Sequence, residues 1–433
     1  MRVLMLSWEY PPVMVGGLGR HVHALATSLA TAGHDVTVVT RHGGGAPLEE
    51  HLDGVRVIRA PEDPPLFPLT NSTLLAWTMA FNHALTRAAL RASQTADEPY
   101  DVVHAHDWLV THAAATVKHH LGVPLVATVH ATEAGRHSGW LPSETNRCIH
   151  SVEWWLTYQA RRVLVCSAYM RWEVSRLFEL PRGKVEVIPN GVSPEAWRAS
   201  PRAVAATAAR FPGDGPLIVY AGRLVYEKGV QDLLAAVPGL RRRHRRPRVV
   251  VAGDGPYRPD LEKLARKLRI SRTVAFPGFL DDVDLPALLA AADCLVAPSR
   301  YEPFGMIALE AAAAGTPVVA ASTGGLAEFV DPGKTGLTFP AGDSEALGES
   351  IDLLLADEVS ARRISRRAKA LVNREYGWAT IAARTVAAYR RAVADERALS
   401  TRVAAGGLTQ QVSGQPRIVV PQGNLLTGEA ITP

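Results

Sequence analysis

The chain has 433 residues and a formal net charge of +5, a length that asks for two ordinary domains plus an appendage and a charge that fits a small anionic ligand without requiring one. Its three cysteines, Cys148, Cys166 and Cys294, are widely spaced with no Cys-x-x-Cys pair, which argues against a disulfide framework or a cysteine-built zinc site and fits a reducing cytoplasm. No apolar run reaches the ~18 residues of a membrane span.

Met1 to Tyr10 carries one early positive charge and runs into Gly-rich sequence, so it reads as a first strand and not as a signal peptide. From there short β-rich apolar runs alternate with Ala/Leu helical patterns, the pattern of βαβ units and parallel sheets. The expected strands of the first half are Arg2–Ser7, Asp35–Thr40, Val55–Arg59, Val102–Ala105, Pro124–Val129, Arg162–Cys166 and Val185–Pro189. Those of the second are Leu217–Ala221, Arg248–Ala252, Val274–Pro277, Cys294–Ala297 and Pro317–Ala320. The turn-rich stretch Ile188-Pro189-Asn190-Gly191-Val192-Ser193-Pro194 predicts the hinge. The expected division is 1–195, 196–377, a last helix near 378–398, and a flexible tail over 400–433 that is rich in Gly, Gln, Ser and Thr.

The first strand leads into Val15-Gly16-Gly17-Leu18-Gly19-Arg20-His21 before a helix, a turn that offers backbone N–H groups to phosphate. It is no dinucleotide fingerprint: Val22 stands where the third glycine belongs, and Thr40-Arg41 where an acid should follow the second strand. His104-Ala105-His106-Asp107-Trp108 and His130 close two later strands, at the carboxyl edge where open α/β sheets bind ligands. A metal held by the two histidines and Asp107 is one reading; hydroxyl binding by Asp107 is preferred, because no companion ligand cluster is evident.

In the second half, Gly222-Arg223-Leu224 and Glu227-Lys228-Gly229 place two cations beside a helix start, suited to a diphosphate leaving group. The competing reading is a surface ion pair through Glu227. In Ser299-Arg300-Tyr301-Glu302-Pro303-Phe304-Gly305-Met306-Ile307-Ala308-Leu309-Glu310, two helical carboxylates eight positions apart would stand ~12 Å apart on nearly one face, about the span from a sugar ring to a ribose. Amides near Phe304 and Gly305 would serve phosphate or sugar oxygens. Asp281-Asp282-Val283-Asp284 reads as a helix cap and not as a cation site. Trp140, Trp154 and Trp155 are read as core ahead of sugar platforms. The basic run Arg241 to Arg248 is read as a solvated helix end, with weak peripheral membrane contact as the minor reading and no nucleic-acid partner expected.

These motifs together resemble the retaining glycosyltransferases of family 4 and the related glycogen synthases. The resemblance covers residues 1–398 and includes Asn190-Gly191-Val192, Gly253-Asp254-Gly255-Pro256 and Thr323-Gly324-Gly325. It implies a GT-B fold, two Rossmann-like α/β domains facing each other across a cleft. It also implies that Gly16, Gly17, Arg223, Lys228, Phe304, Gly305, Met306 and Glu310 bind the donor, with Glu310 on the ribose. Asp107, His130 and Glu302 would meet the transferred sugar, and the last helix would cross back onto the first domain. Glycogen synthases carry Lys-x-Gly-Gly-Leu at the first turn; Met14 stands at the lysine position here, so Arg223 and Lys228 should carry more of the diphosphate charge.

Ser-Trp-Glu-Tyr-Pro-Pro, Gly-Gly-Leu-Gly-Arg-His and His-Ala-Thr-Glu-Ala-Gly-Arg-His further resemble actinobacterial α-1,4-glucosyltransferases of methylglucose polysaccharide and glycogen-like glucan synthesis. The expectation is a cytoplasmic, metal-independent hexosyltransferase without a resident cofactor. It would move glucose from UDP-glucose or ADP-glucose to the non-reducing end of an α-1,4-glucan or methylglucose polysaccharide precursor. A GDP-mannose-dependent mannosyltransferase with a lipid or other small acceptor is the alternative, a sugar-nucleotide epimerase a remoter one, and a non-catalytic glucan-binding module the last.

Overall fold

A computed structural model describes residues 1–14, 16–61, 69–70, 72–404 and 424–426. The chain forms two compact units: Met1–Gly191 together with the chain from Trp378 onward, and Val192–Gly377. The first boundary therefore lies at Gly191/Val192 and not at 195/196. Val192 donates its N–H to the Tyr376 carbonyl at 2.8 Å and bridges to Gly377, which ties the second unit's first residue to its last. Residues 194–197 follow the same unit, because the short turn Pro194–Trp197 packs on its helix Met306–Ala314.

The first unit holds strands β1 (Arg2–Leu6), β2 (Asp35–Arg41), β3 (Glu49–Leu52), β4 (Val55–Ala60), β5 (Val102–His106), β6 (Leu125–Val129), β7 (Arg162–Val165) and β8 (Val185–Val187). They line up in the order β3-β4-β2-β1-β5-β6-β7-β8, all parallel except the β3–β4 hairpin. β3 escapes a sequence reading because Glu-Glu-His-Leu has neither apolar alternation nor β-branched residues; pairing with β4 makes it a strand. The second unit holds β9 (Leu217–Ala221), β10 (Arg248–Ala252), β11 (Val274–Gly278), β12 (Cys294–Ala297), β13 (Val318–Ala321) and β14 (Leu337–Phe339), in the order β11-β10-β9-β12-β13-β14 and all parallel. β14, three residues long, is too short to announce itself.

Both sheets run 3-2-1-4-5-6 through their centres, the doubly wound Rossmann order. Val3 to Leu6, Val102 to Ala105 and Leu217 to Val219 are fully buried, as expected of strands covered by crossover helices on both faces. The strand order reverses between β1 and β5 and again between β9 and β12.

The final helix, Trp378–Ala404, belongs to the first unit and outlasts its expected end at 398. Ile381, Ala388, Tyr389 and Ala392 join the apolar core beneath β1 and β2. Its polar side is pinned to the β7–β8 edge by Arg161–Glu396 (2.7 Å), Arg162–Asp395 (2.8 Å) and Arg384 to the Val187 carbonyl (3.0 Å).

The tail expected over 400–433 is not loose throughout. Its residues 400–404 continue the helix, and Asn424 is buried. Asn424 Nδ2 donates to the Ser138 carbonyl (2.8 Å), and Leu425 donates its N–H to the Gly139 carbonyl (2.7 Å). Residues 405–423 and 427–433 lie outside the described residues. Gly139 has φ +93°, and a methyl there would stand 1.9 Å from Asn424 Oδ1. Gly139→Ala should therefore release this segment, with ~1–2 kcal/mol of local backbone strain. Limited proteolysis should show faster cleavage near 424 while the main unfolding transition persists; an unchanged digest would disprove the docking.

Candidate active site

In each unit the expected residues gather where the strand order reverses, because loops leaving neighbouring strands to opposite faces open a crevice at the carboxyl edge. In the second unit this edge carries the loop after β9, with Arg223 and the turn Tyr226–Lys228, and the loop after β12, Ser299–Gly305. Arg223 is exposed, its carbonyl held by the Tyr220 hydroxyl at 2.9 Å. Lys228 Nζ donates to Glu302 Oε2 at 2.7 Å, and Ser299 Oγ donates to the same oxygen at 3.0 Å. The partner of Lys228 is thus the expected sugar-side carboxylate and not Glu227. Glu227 instead accepts the Arg300 N–H on its backbone carbonyl at 2.8 Å.

Two glycines allow this approach. Gly229, at φ +68°, lies so close to the Pro298 carbonyl that a methyl would come within 1.8 Å of its oxygen. Gly324, at φ +51°, would place a methyl 1.9 Å from the Glu302 carbonyl oxygen, which accepts the Gly325 N–H at 3.0 Å. The Thr323-Gly324-Gly325 motif is thereby explained as the floor under Glu302.

The helical spacing expected between the two glutamates does not hold. The helix begins at Met306, so Glu302 sits in the loop before it and only Glu310 is helical. Pro303 and left-handed Gly305 (φ +97°) break the run. Both glutamates are nonetheless buried, 8% exposed each as residues, as is Phe304. Gly305 caps the helix with no side-chain bond, so the amides of its first turn, starting with the half-buried Met306, lie at the same edge.

Sequence reasoning missed the brace that sets these loops. Arg300 forks onto Asp232 (Nε 2.9 Å, Nη2 2.7 Å), donates from Nη1 to the Tyr226 hydroxyl (2.9 Å) and stacks over the Tyr226 ring. Asp232, three residues into a helix, gives no signal of its own; its distance of 68 residues from Arg300 hides the pair.

In the first unit, Asp107 follows β5 with φ 60°, a strained value for a residue with a side chain. Its Oδ1 accepts the His130 N–H at 2.7 Å, joining the ends of β5 and β6. Burial pushes the Asp107 carboxyl up to about 6, partly offset by the His130 N–H and by Arg136. Burial pulls His130 down to about 4, with the Arg136 charge adding to it. The imidazole is therefore neutral near pH 7 and the carboxylate mostly ionised.

Behind Asp107 the metal trio of His104, His106 and Asp107 does not form. His104 and His106, two apart on β5, do share a face. His104 shares hydrogen bonds with the Tyr389 hydroxyl and Thr128 Oγ1, both at 2.7 Å, while His106 Nδ1 lies 3.2 Å from His130 Nε2. His21, unforeseen in the sequence, completes this group from the first helix.

The Gly16–Gly17 turn differs from expectation in one respect. The Gly16 N–H donates to Glu9 Oε2 at 2.9 Å, so that amide is already engaged. A methyl at either glycine would meet no atom within 4 Å, so the turn faces open space.

Asp281 does cap, accepting the N–H groups of Val283 (3.0 Å) and Asp284 (2.8 Å), though the helix starts at Asp284. Much of the basic run is spent within the fold: Arg241 on the Arg269 carbonyl, Arg243 and His244 on Asp352, Arg248 on the Phe211 and Gly215 carbonyls. Trp140, Trp154 and Trp155 are not core: Trp140 is exposed, and the other two are half-buried and pack with exposed Tyr158.

Residues 15–196 match the family described as Glycosyltransferase Family 4, and 205–371 that described as Glycosyl transferases group 1. The chain is 45% identical over 407 residues to a glycogen synthase of Mycobacterium tuberculosis, covering 92% of this chain and 96% of the relative. It is 33% identical to a D-inositol 3-phosphate glycosyltransferase of Streptomyces scabiei, covering 93% of each. A sucrose-phosphate synthase from Thermosynechococcus elongatus has the same architecture, with TM-score 0.79 and 27% identity over 91% of this chain and 99% of that one. With two Rossmann-like units, both halves matched and a relative this close along nearly the whole length, the chain belongs to the group 1, family 4 glycosyltransferases of GT-B fold.

Proposed function

We propose that the protein is a retaining glucosyltransferase that extends an α-1,4-glucan or methylglucose polysaccharide precursor from UDP-glucose or ADP-glucose. The observation that carries the reading is the Lys228–Glu302 pair at the second unit's switch point, with Arg223 beside it on the same edge. Similarity to a glycogen synthase over nearly the whole chain supports glucose and a glucan.

In this reading Arg223 and Lys228 hold the donor diphosphate and neutralise the charge that grows as the C1–O bond breaks. Phe304, Gly305 and Met306 offer backbone amides to phosphate or sugar oxygens, Glu302 accepts from sugar hydroxyls, and Glu310 takes the ribose. Asp107 accepts from the transferred sugar, and the His130 carbonyl faces positive charge at C1. The acceptor 4-hydroxyl attacks C1 on the face the diphosphate leaves, and its proton passes to a leaving phosphate oxygen. No step calls for a metal, since two cations are already supplied.

Donor hydrolysis and transfer assays with UDP-glucose, ADP-glucose and GDP-mannose on malto-oligosaccharides test the reading. Glucosyl transfer is expected; turnover of GDP-mannose alone onto a lipid would overturn it. Arg223→Ala and Lys228→Ala should each lower transfer by at least ~100-fold, and near-normal turnover by either would refute the assignment. Lys228→Ala should also cost ~1–3 kcal/mol of stability by stranding Glu302, a loss that Glu302→Gln in the double variant should largely restore in denaturant titrations.

Asp107 gives a pH signature. With its folded value near 6 and an ordinary value of 3.8, the fold favours the protonated form. That contribution is complete below about pH 4 and lost as pH rises through 6. Asp107→Asn should therefore stabilise the protein at pH 7.5, by on the order of 2–3 kcal/mol, with the gain fading by pH 4.5. The same change should slow transfer and flatten an acid limb near pH 6. A variant destabilised equally at both pH values would show that the carboxylate is structural.

A further inference from the structure

Three imidazoles converge behind the first unit's carboxyl edge. His21 comes from the helix Gly17–Thr31, His106 from the end of β5 and His130 from the end of β6. One nitrogen from each lies within 4.8 Å of the other two. His21 and His106 are buried, whereas His130 is half-buried.

One spacing in the group matches that of a coordination sphere. Two nitrogens bound to tetrahedral zinc at 2.0–2.1 Å stand roughly 3.3 Å apart, and His106 Nδ1 and His130 Nε2 are 3.2 Å apart. The rings of these two are nearly coplanar in orientation, 21° apart, and the His21 ring meets His130 edge-on with centroids at 4.7 Å. His21 Nδ1 and His106 Nε2 are buried and have no hydrogen-bond partner, while His106 Nδ1 pairs with His130 Nε2, so each of the two buried rings keeps one nitrogen unsatisfied within the protein. Burial holds all three rings in the neutral form, the form whose lone pairs bind metals. The charged and titratable neighbours include His104, which acts on His106 from β5, Arg136, which acts on His130, and Asp107, which follows His106 and accepts the His130 N–H; Asn190 bonds the His21 ring. The borderline-soft nitrogen set suits zinc or a similar late divalent ion, and not magnesium or calcium.

We propose that His21, His106 and His130 form a divalent transition-metal site, with a solvent molecule as fourth ligand, whose occupancy inhibits the enzyme by fixing the His130 ring and placing a cation beside the backbone carbonyl that serves transfer. The site shares His130 with the transfer steps described above, but those steps use its backbone carbonyl and not its ring, so transfer proceeds without the metal and is regulated by it.

The test uses the full chain, stripped with EDTA and titrated with Zn²⁺ or Co²⁺. One equivalent of zinc should stay bound through gel filtration, and the cobalt form should show the strong visible bands of a four-coordinate nitrogen site. The chain has 15 histidines, so His21→Gln and His106→Gln serve as controls, each expected to weaken binding by at least about tenfold. Zinc should slow transfer in the unaltered chain, with EDTA restoring the rate. Weak cobalt bands of an octahedral site, or zinc held equally by both variants, would overturn the proposal. The cobalt spectrum of the unaltered chain decides the matter even if the variants fold poorly, and it stands whichever donor and acceptor the enzyme uses.

Discussion

A parallel strand cannot turn straight back; it must be followed by a crossover, and the crossovers of a doubly wound sheet leave in two directions from one point. Everything of chemical interest in this chain hangs on that constraint. β1 and β5 flank the reversal in the first sheet, β9 and β12 in the second. Glu9, Asp107, Arg223, Lys228 and Glu302 all lie just beyond one of these four strands, and His130 beyond the next strand along. The apolar strands need no special residue at their ends to form, which leaves the ends available for charge.

Charge at such an edge has to be compensated, and the two units solve this differently. Glu302 is buried but has an ammonium and a hydroxyl on one oxygen. Asp107 has the burial without the ammonium: burial pushes its carboxyl up to about 6, only partly offset by the His130 N–H and the Arg136 charge. The first arrangement is stable without ligand; the second is a local cost, fitting for a group whose partners arrive from outside.

The return of the last helix was implied by the family resemblance alone, whereas the strands were legible because apolar periodicity and turn chemistry are local signals. Arg223, Lys228 and Glu302 were legible for the same reason, each standing next to a glycine or proline that ends a run. What stayed hidden is what depends on pairing across the sheet. β3 exists through its hairpin partner, and Asp232 matters through Arg300. His21 matters only because its helix brings its ring against His106 and His130, which come from two other strands' ends. The glutamate spacing failed because a helical period was extended backward through Pro303, the residue that stops it.

The final helix has a consequence for how the protein is made. The first unit's core includes Ile381, Ala388, Tyr389 and Ala392, residues that leave the ribosome only after the whole of Val192–Gly377. The second unit is therefore an insertion that can close on its own sheet while the first still lacks one wall. Until then the first unit has an uncovered apolar stripe and His104 lacks its Tyr389 partner. A chain truncated before Trp378 should need a chaperone more than either finished unit does, and the earlier domain in the sequence is the later one to be completed.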